Sequence, residues 1–190
     1  MRTFIAFELA QEIKNYLALI QEELKKSAAD VKWVLPQNIH LTLKFIGEID
    51  EELSEGITKI IEKIAGSQTP FSLSLASLGA FPKINSPRVI WVGVDKGKVE
   101  SEKIARALGE ELEKIGIPAE KRKFSSHITI GRVRSMKNRE KLTACLNELC
   151  AKEKVAKPQI QISKITLYKS TLTPKGPIYE ILKEASLKAT

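Results

Sequence analysis

Histidine is scarce in this chain: 190 residues hold two, alongside two cysteines, two tryptophans and two methionines. Cys145 and Cys150 as the only cysteines exclude a disulfide framework, and no Cys-x-x-Cys spacing offers a zinc or redox site. They lie five apart in a helical stretch, which turns them to different sides of the helix, so they read as small buried hydrophobes in a reducing cytoplasm. No apolar run approaches the ~20 residues that span a bilayer. The stretch Met1–Glu8 meets charge too early for a signal peptide, so no membrane partner is expected. No glycine-rich loop follows a strand, which excludes a P-loop or a dinucleotide-binding fold. Aromatics are sparse, at 6%.

What is present describes a folded, basic protein. A composition 43% hydrophobic and 28% charged supplies a core and excludes disorder. A net charge of +8 and a pI near 9.4 favour a polyanionic partner such as nucleic acid. The length points to one domain, residues 1–190, built of one unit or two similar lobes.

Strand and helix patterns alternate. Arg2–Glu8 is rich in β-formers, and Ala10–Ala28 carries Ile13, Leu17, Ile20 and Leu24 at helical spacing. Val31–Leu35 is extended and stopped by Pro36; Ile39–Ile46 is a strand ended by Gly47; Asp50–Ala65 is a second amphipathic helix. Phe71–Leu78 and Val89–Val94 read as strands around a proline-bearing loop, 80–88. A helix at Val99–Ile115, a strand at Phe124–Val133 and a helix at Lys137–Lys152 follow. Gln159–Tyr168 and Ile178–Leu187 close the chain as strands about a Pro/Gly turn, 174–177. Four helices and eight strands in this order predict an α+β fold with mixed or antiparallel sheets.

The two histidines occupy matched frames, His40-Leu41-Thr42-Leu43 and His127-Ile128-Thr129-Ile130, and each strand leads into a helix. This weak internal repeat predicts two lobes facing each other. Side chains alternate along a strand, so His and Thr share one face and the aliphatic pair takes the other. Strict alternation also puts Lys44 beside His40 and Thr42, sends Phe45 inward, and leaves room for a ligand at Gly131. If the strands meet, two imidazoles and two hydroxyls surround one small volume suited to a phosphodiester. One neutral imidazole takes a proton from water and one imidazolium gives a proton to the leaving oxygen; an unperturbed pKa near ~6.5 serves both. Arg132 is the natural cation, because its planar fork matches phosphate. Two histidines without a third ligand make a thin metal site, and no metal is expected.

At these residues the chain resembles the two-histidine (2H) phosphoesterase superfamily, and within it the RNA 2′,3′-cyclic phosphodiesterase (2′-5′ RNA ligase-like) family. Further segments carry the likeness: Val31-Lys-Trp-Val34, Asn38–Gly47, Leu78-Gly-Ala-Phe-Pro82, Pro87–Gly93, His127–Arg132 and Ile165-Thr-Leu-Tyr-Lys-Ser170. The resemblance implies a bilobal α+β fold, with two antiparallel sheets lining a central cleft, helices outside and a pseudo-two-fold repeat. It implies metal-independent opening of an RNA 2′,3′-cyclic phosphate to a 2′-phosphate, without cofactor. By the same likeness His40 is the proton donor and His127 the proton acceptor, and Thr42, Thr129 and Arg132 hold the phosphate. The expected partner is RNA with a cyclic phosphate end, tRNA or tRNA halves among the candidates, and the protein is expected to be a monomer. Ser126 stands where the family often has proline. Strand spacing alone leaves open which histidine is the acid. Ligation to a 2′-5′ bond, hydrolysis of 2′-5′-linked oligonucleotides and non-catalytic RNA binding are the alternatives. Trp33, Phe7 and Trp91 are each either core residues or base-stacking platforms; Lys121-Arg122-Lys123 is either an RNA guide or a solvated charge run. Tyr168 and residues 81–88 are expected to border the cleft.

Overall fold

The computed structural model describes residues 1–120, 122–152, 157–174 and 176–188. In chain order these form β1 (Arg2–Glu8), α1 (Gln11–Lys25), β2 (Val31–Trp33), a 3-10 turn (Pro36–Asn38), β3 (His40–Glu48), α2 (Glu51–Ala65), β4 (Phe71–Lys83), β5 (Ser86–Val94), α3 (Lys98–Glu113), β6 (His127–Val133), α4 (Arg139–Ala151), β7 (Gln159–Ile162), β8 (Lys164–Thr173) and β9 (Gly176–Ser186). Lys121 of the basic run and Lys175 of the predicted Pro/Gly turn lie outside the described residues.

Local chemistry accounts for the helices. Asp50 caps α2 by accepting from the Leu53 N–H at 2.8 Å, and Glu51 and Glu52 complement the dipole in the first turn. Ile57, Ile60, Ile61 and Ile64 then recur on one buried face. On α1 the same role falls to Ile13, Leu17 and Leu24. None of the described helices is long and apolar enough to cross a membrane. Cys145 and Cys150, expected as small buried hydrophobes, are half-buried and pack against the core; the Cys150 thiol donates to the Leu78 carbonyl at 3.3 Å.

The strands make two antiparallel sheets, ordered β3-β1-β8-β9 and β2-β6-β5-β4-β7. Helices α2 and α3 pack on the first sheet, α1 and α4 on the second. Their inner faces share one core containing Ile5, Phe7, Leu41, Ile90 and Ile128.

Two strand boundaries differ from expectation. The predicted loop 80–88 is the tip of a β4–β5 hairpin, with Pro82 opposite Pro87. Proline removes a ladder donor, and placing the two prolines opposite each other confines that loss to one position near the hairpin tip. The predicted strand Gln159–Tyr168 is two strands: β7 pairs with β4 in the second sheet, and the chain crosses after Ile162 to join β1 in the first as β8.

The sheets meet at the histidine strands. Short β2 pairs with Gly131–Val133, and the Val34 N–H reaches the Ile130 carbonyl at 3.0 Å, which leaves the edge of β6 open over His127–Thr129. Edge strand β3 packs against β6.

Candidate active site

Both histidine strands break their alternation at the same point. In β3, Thr42 pairs with Ala6 and Lys44 with Ile5, so Leu43 is bulged out of register. In β6, Thr129 pairs with Trp91 and Gly131 with Ile90, so Ile130 is bulged. An extra residue flips every side chain beyond it to the other face. The flip places Arg132 on the face of His127 and Thr129, although simple alternation puts it opposite. On β3 the flip sends Lys44 to the core and Phe45 to the cleft.

This corrects two expectations. Lys44 does not share the cleft with His40; it is 4% exposed and donates to the Pro118 carbonyl at 2.9 Å. Gly131 opens no room for a ligand. A Cβ there would lie 2.9 Å from Val31 Cγ1 and 3.0 Å from Trp33 Cε3, so the space belongs to Trp33. The β6 bulge is held by buried Gln21, whose amide donates to the Ile130 and Val34 carbonyls at 2.8 Å each. Nothing in the sequence pattern marked Gln21, because its partner Ile130 lies 109 residues away.

The imidazoles are oriented alike. His40 Nδ1 lies 2.7 Å from the Asn38 carbonyl, and His127 Nδ1 lies 2.7 Å from the Ser125 carbonyl. A carbonyl only accepts, so each Nδ1 carries the hydrogen and each Nε2 is left for chemistry. His and Thr are half-buried in both frames, while Leu41, Leu43, Ile128 and Ile130 are buried. Ser126 is buried too; its carbonyl accepts from Val94 N–H at 3.3 Å and continues the pairing just before His127.

The surroundings differ. Phe4 lies 4.7 Å from the His40 ring, Tyr179 approaches it edge-on at 5.4 Å, and Tyr168 lies at 6.4 Å. Burial among these rings pushes His40 down to about 4; the Asn38 hydrogen bond opposes this and the Lys14 charge adds to it. Asn38 also donates to the Pro177 carbonyl at 2.8 Å, tying β9 and hence Tyr179 to the histidine. His127 meets Phe81 edge-on at 5.1 Å and Trp91 at 6.2 Å. Trp91 lies over Gly79, where a Cβ would sit 2.5 Å from the indole. Burial raises the Tyr179 phenol above its ordinary value, while the positive charges of Arg132 and Arg2 pull it down. Tyr179 belongs to the first sheet and Arg132 to the second.

Among the weaker candidates, Phe7 is fully buried and Trp33 packs with the core, so neither offers a base platform; Trp91 stands on the cleft face. Tyr168 borders the cleft, stacked on Phe4 at 5.1 Å. Of the basic run, Arg122 and Lys123 line a groove against α3 with Lys44 on the core side of β3, not the histidine cleft. Among the described residues no three His, Cys, Asp or Glu side chains gather as a metal site.

A family profile described as LigT like Phosphoesterase matches residues 7–91 and again 92–179, one match per histidine frame. A protein of Methanothermobacter thermautotrophicus named RNA 2′,3′-cyclic phosphodiesterase is 35% identical over 179 residues, covering 94% of this chain and 95% of its own. One of the same name from Methanocaldococcus jannaschii is 36% identical over 184 residues, covering 97% and 99%. The crystal structure of TT0787 from Thermus thermophilus superposes with a TM-score of 0.80 at 26% identity, covering 100% of this chain and 99% of that one.

Proposed function

The chain belongs to the LigT-like phosphoesterase family, and from that membership we propose that it hydrolyses the 2′,3′-cyclic phosphate at an RNA end to a 2′-phosphate. One observation carries the reading: two imidazoles in matched frames at the seam of the sheets, each with Nδ1 tied to a carbonyl and Nε2 free.

In the proposed reaction Thr42, Thr129 and Arg132 hold the phosphoryl oxygens. Water attacks phosphorus as neutral His127 Nε2 takes its proton, and the bond to the 3′ oxygen breaks as His40 Nε2–H protonates that oxygen. Each transfer is worth about 10² to 10⁴ in rate. Donors on the phosphoryl oxygens gain value in a water-poor cleft. His40 at about 4 is neutral in the empty site at neutral pH. The arriving phosphodiester anion opposes that shift by favouring the imidazolium, so substrate itself loads the acid. tRNA ends are among the RNAs such a site would accept, and a monomer suffices, since both histidines come from one chain.

The test is product analysis on one defined RNA ending in a 2′,3′-cyclic phosphate. A 2′-phosphate product is expected. A 3′-phosphate product would reverse the assignment of the leaving oxygen, and no turnover would leave a binding protein.

A further inference from the structure

Lys14, at the end of the first turn of α1, breaks the usual rule for lysine. Its side chain is only 10% exposed, and its ammonium makes no hydrogen bond among the described residues. The carboxylate paired with it, on Glu8, lies 3.8 Å away, beyond hydrogen-bond reach, and is itself 54% exposed. Lysine is almost never so enclosed unless it is paired. A buried charge without a close partner is unfavourable.

Lys14 helps to wall two adjoining cavities. One, of about 230 Å³, also contains His40, Gln37 and Tyr179. The other, of about 340 Å³, contains Ala10, Gln11 and Lys164. Glu8 and Lys14 belong to both, so the two form one trough that starts at His40 and ends at the N-terminus of α1. That helix is 15 residues long, and no side chain caps it at Ala10. The partial positive charge of its first N–H groups adds to that of the ammonium. Two carboxylates also border the trough, on Glu8 and Glu184. Glu184 is taken by Lys164 at 3.1 Å, whereas Glu8 has no side-chain hydrogen bond to hold it in place.

We propose that this trough is a subsite for a second phosphate, the one on the 5′ side of the nucleoside that carries the cyclic end, with the Lys14 ammonium and the first N–H groups of α1 as its donors. The inference rests on the cyclic phosphodiesterase reading and deepens it. In that reading His40 meets the 3′ oxygen of the terminal nucleoside, and the next anion along the RNA is the phosphate on its 5′ oxygen. An arriving phosphate displaces Glu8 and gives the enclosed cation the close anionic partner it lacks. The subsite favours an RNA end over a free cyclic nucleotide. It does not discriminate between bases, because contacts to the phosphate backbone carry no sequence information.

The experiment compares kcat/KM for adenosine 2′,3′-cyclic phosphate with and without a 5′-phosphate, and for ApA ending in a 2′,3′-cyclic phosphate. In the wild type both additions should raise kcat/KM over the bare mononucleotide. Lys14→Gln should lower each of these two ratios by about tenfold, the worth of one charge-assisted hydrogen bond, and Lys14→Arg should keep most of the gain. Glu8→Gln should raise both ratios, since it removes the competing carboxylate and leaves the cation; it decides the matter if Lys14→Gln folds poorly. The ratios cancel the influence of the Lys14 charge on His40, which all three substrates share. Unchanged ratios in Lys14→Gln would overturn the proposal. So would a fall for the dinucleotide alone, because Lys14 would then read the second nucleoside and not the phosphate. If the wild type turns over none of the three, the cyclic phosphodiesterase reading fails by itself. The subsite is then judged by the affinities of adenosine 2′,5′-bisphosphate and 2′-AMP in wild type and Lys14→Gln, with the same ratio as criterion.

Discussion

His40 sits among Phe4, Tyr168 and Tyr179 with its pKa pushed down to about 4, whereas His127 meets Phe81 and Trp91 on the other sheet. Their backbones are nearly copies: the same Nδ1-to-carbonyl bond, the same half-buried threonine, the same bulge one residue later. The difference teaches how a repeated element could be given the two jobs proposed for it. The strand supplies an aimed imidazole, and the residues around it determine its proton affinity and the ligand group it faces. Matched geometry with unmatched surroundings is what an acid and a base acting on one phosphorus require.

The hardest test of that pairing removes each ring in turn. His40→Ala and His127→Ala should each cut turnover of a 2′,3′-cyclic nucleotide by about 10² to 10⁴, with the fold intact by circular dichroism. Substantial turnover in either variant would break the symmetry of roles.

The next effect appears in stability against pH and isolates the asymmetry. The folded protein holds His40 near about 4, against 6.5 for an unperturbed histidine. Between those values the unfolded chain binds more protons, so stability rises with pH across the window and is lost on acidification through it. The loss is up to about 3 kcal/mol. Urea unfolding of wild type and His40→Gln from pH 7 to 4 measures it: the wild-type curve should fall more steeply. Parallel curves would mean that the aromatic surroundings do not set the titration of His40.

Packing past the two bulges gives a smaller difference. Gly131→Ala would push a methyl group to 2.9 Å from Val31 and 3.0 Å from Trp33. Overpacking of this kind costs about 1 to 3 kcal/mol, read as a lowered Tm. A neutral result would show that Trp33 yields easily and that β2 does not brace the second bulge.

Much of this was legible in the chain, and the limits are specific. The His-x-Thr frames, the apolar spacing of α2 and the α+β class rest on local periodicity, which a sequence displays directly. The crossing after Ile162 was missed, although it left a trace in parity: Ile160 and Ile162 are buried, and Ile165 and Leu167 resume after two residues rather than one. The bulges were not legible, because Leu43-Lys44-Phe45 and Ile130-Gly131-Arg132 continue an unbroken alternation by residue type. Only the cross-strand partners Ile5 and Ile90 reveal the slip. Arg132 was picked for its chemistry, and strict alternation would have placed it on the wrong face. Gln21 escaped because a buried amide bracing a distant carbonyl leaves no local pattern.

The smallest effect tests the first bulge alone. Lys44→Met removes an ammonium that makes a 2.9 Å bond to the Pro118 carbonyl and is otherwise enclosed by the core side of β3. Losing a charge-assisted hydrogen bond is unfavourable by about 1.5 to 3 kcal/mol, while burying an unbranched apolar chain in place of a charge returns a similar amount. The net change should lie within about 1 kcal/mol of wild type. Turnover should hold, because the bulge has carried Lys44 away from the phosphate. A loss of catalysis comparable to that of a histidine variant would mean that the lysine faces the cleft after all, and that the register between Lys44 and Ile5 is not the one that operates.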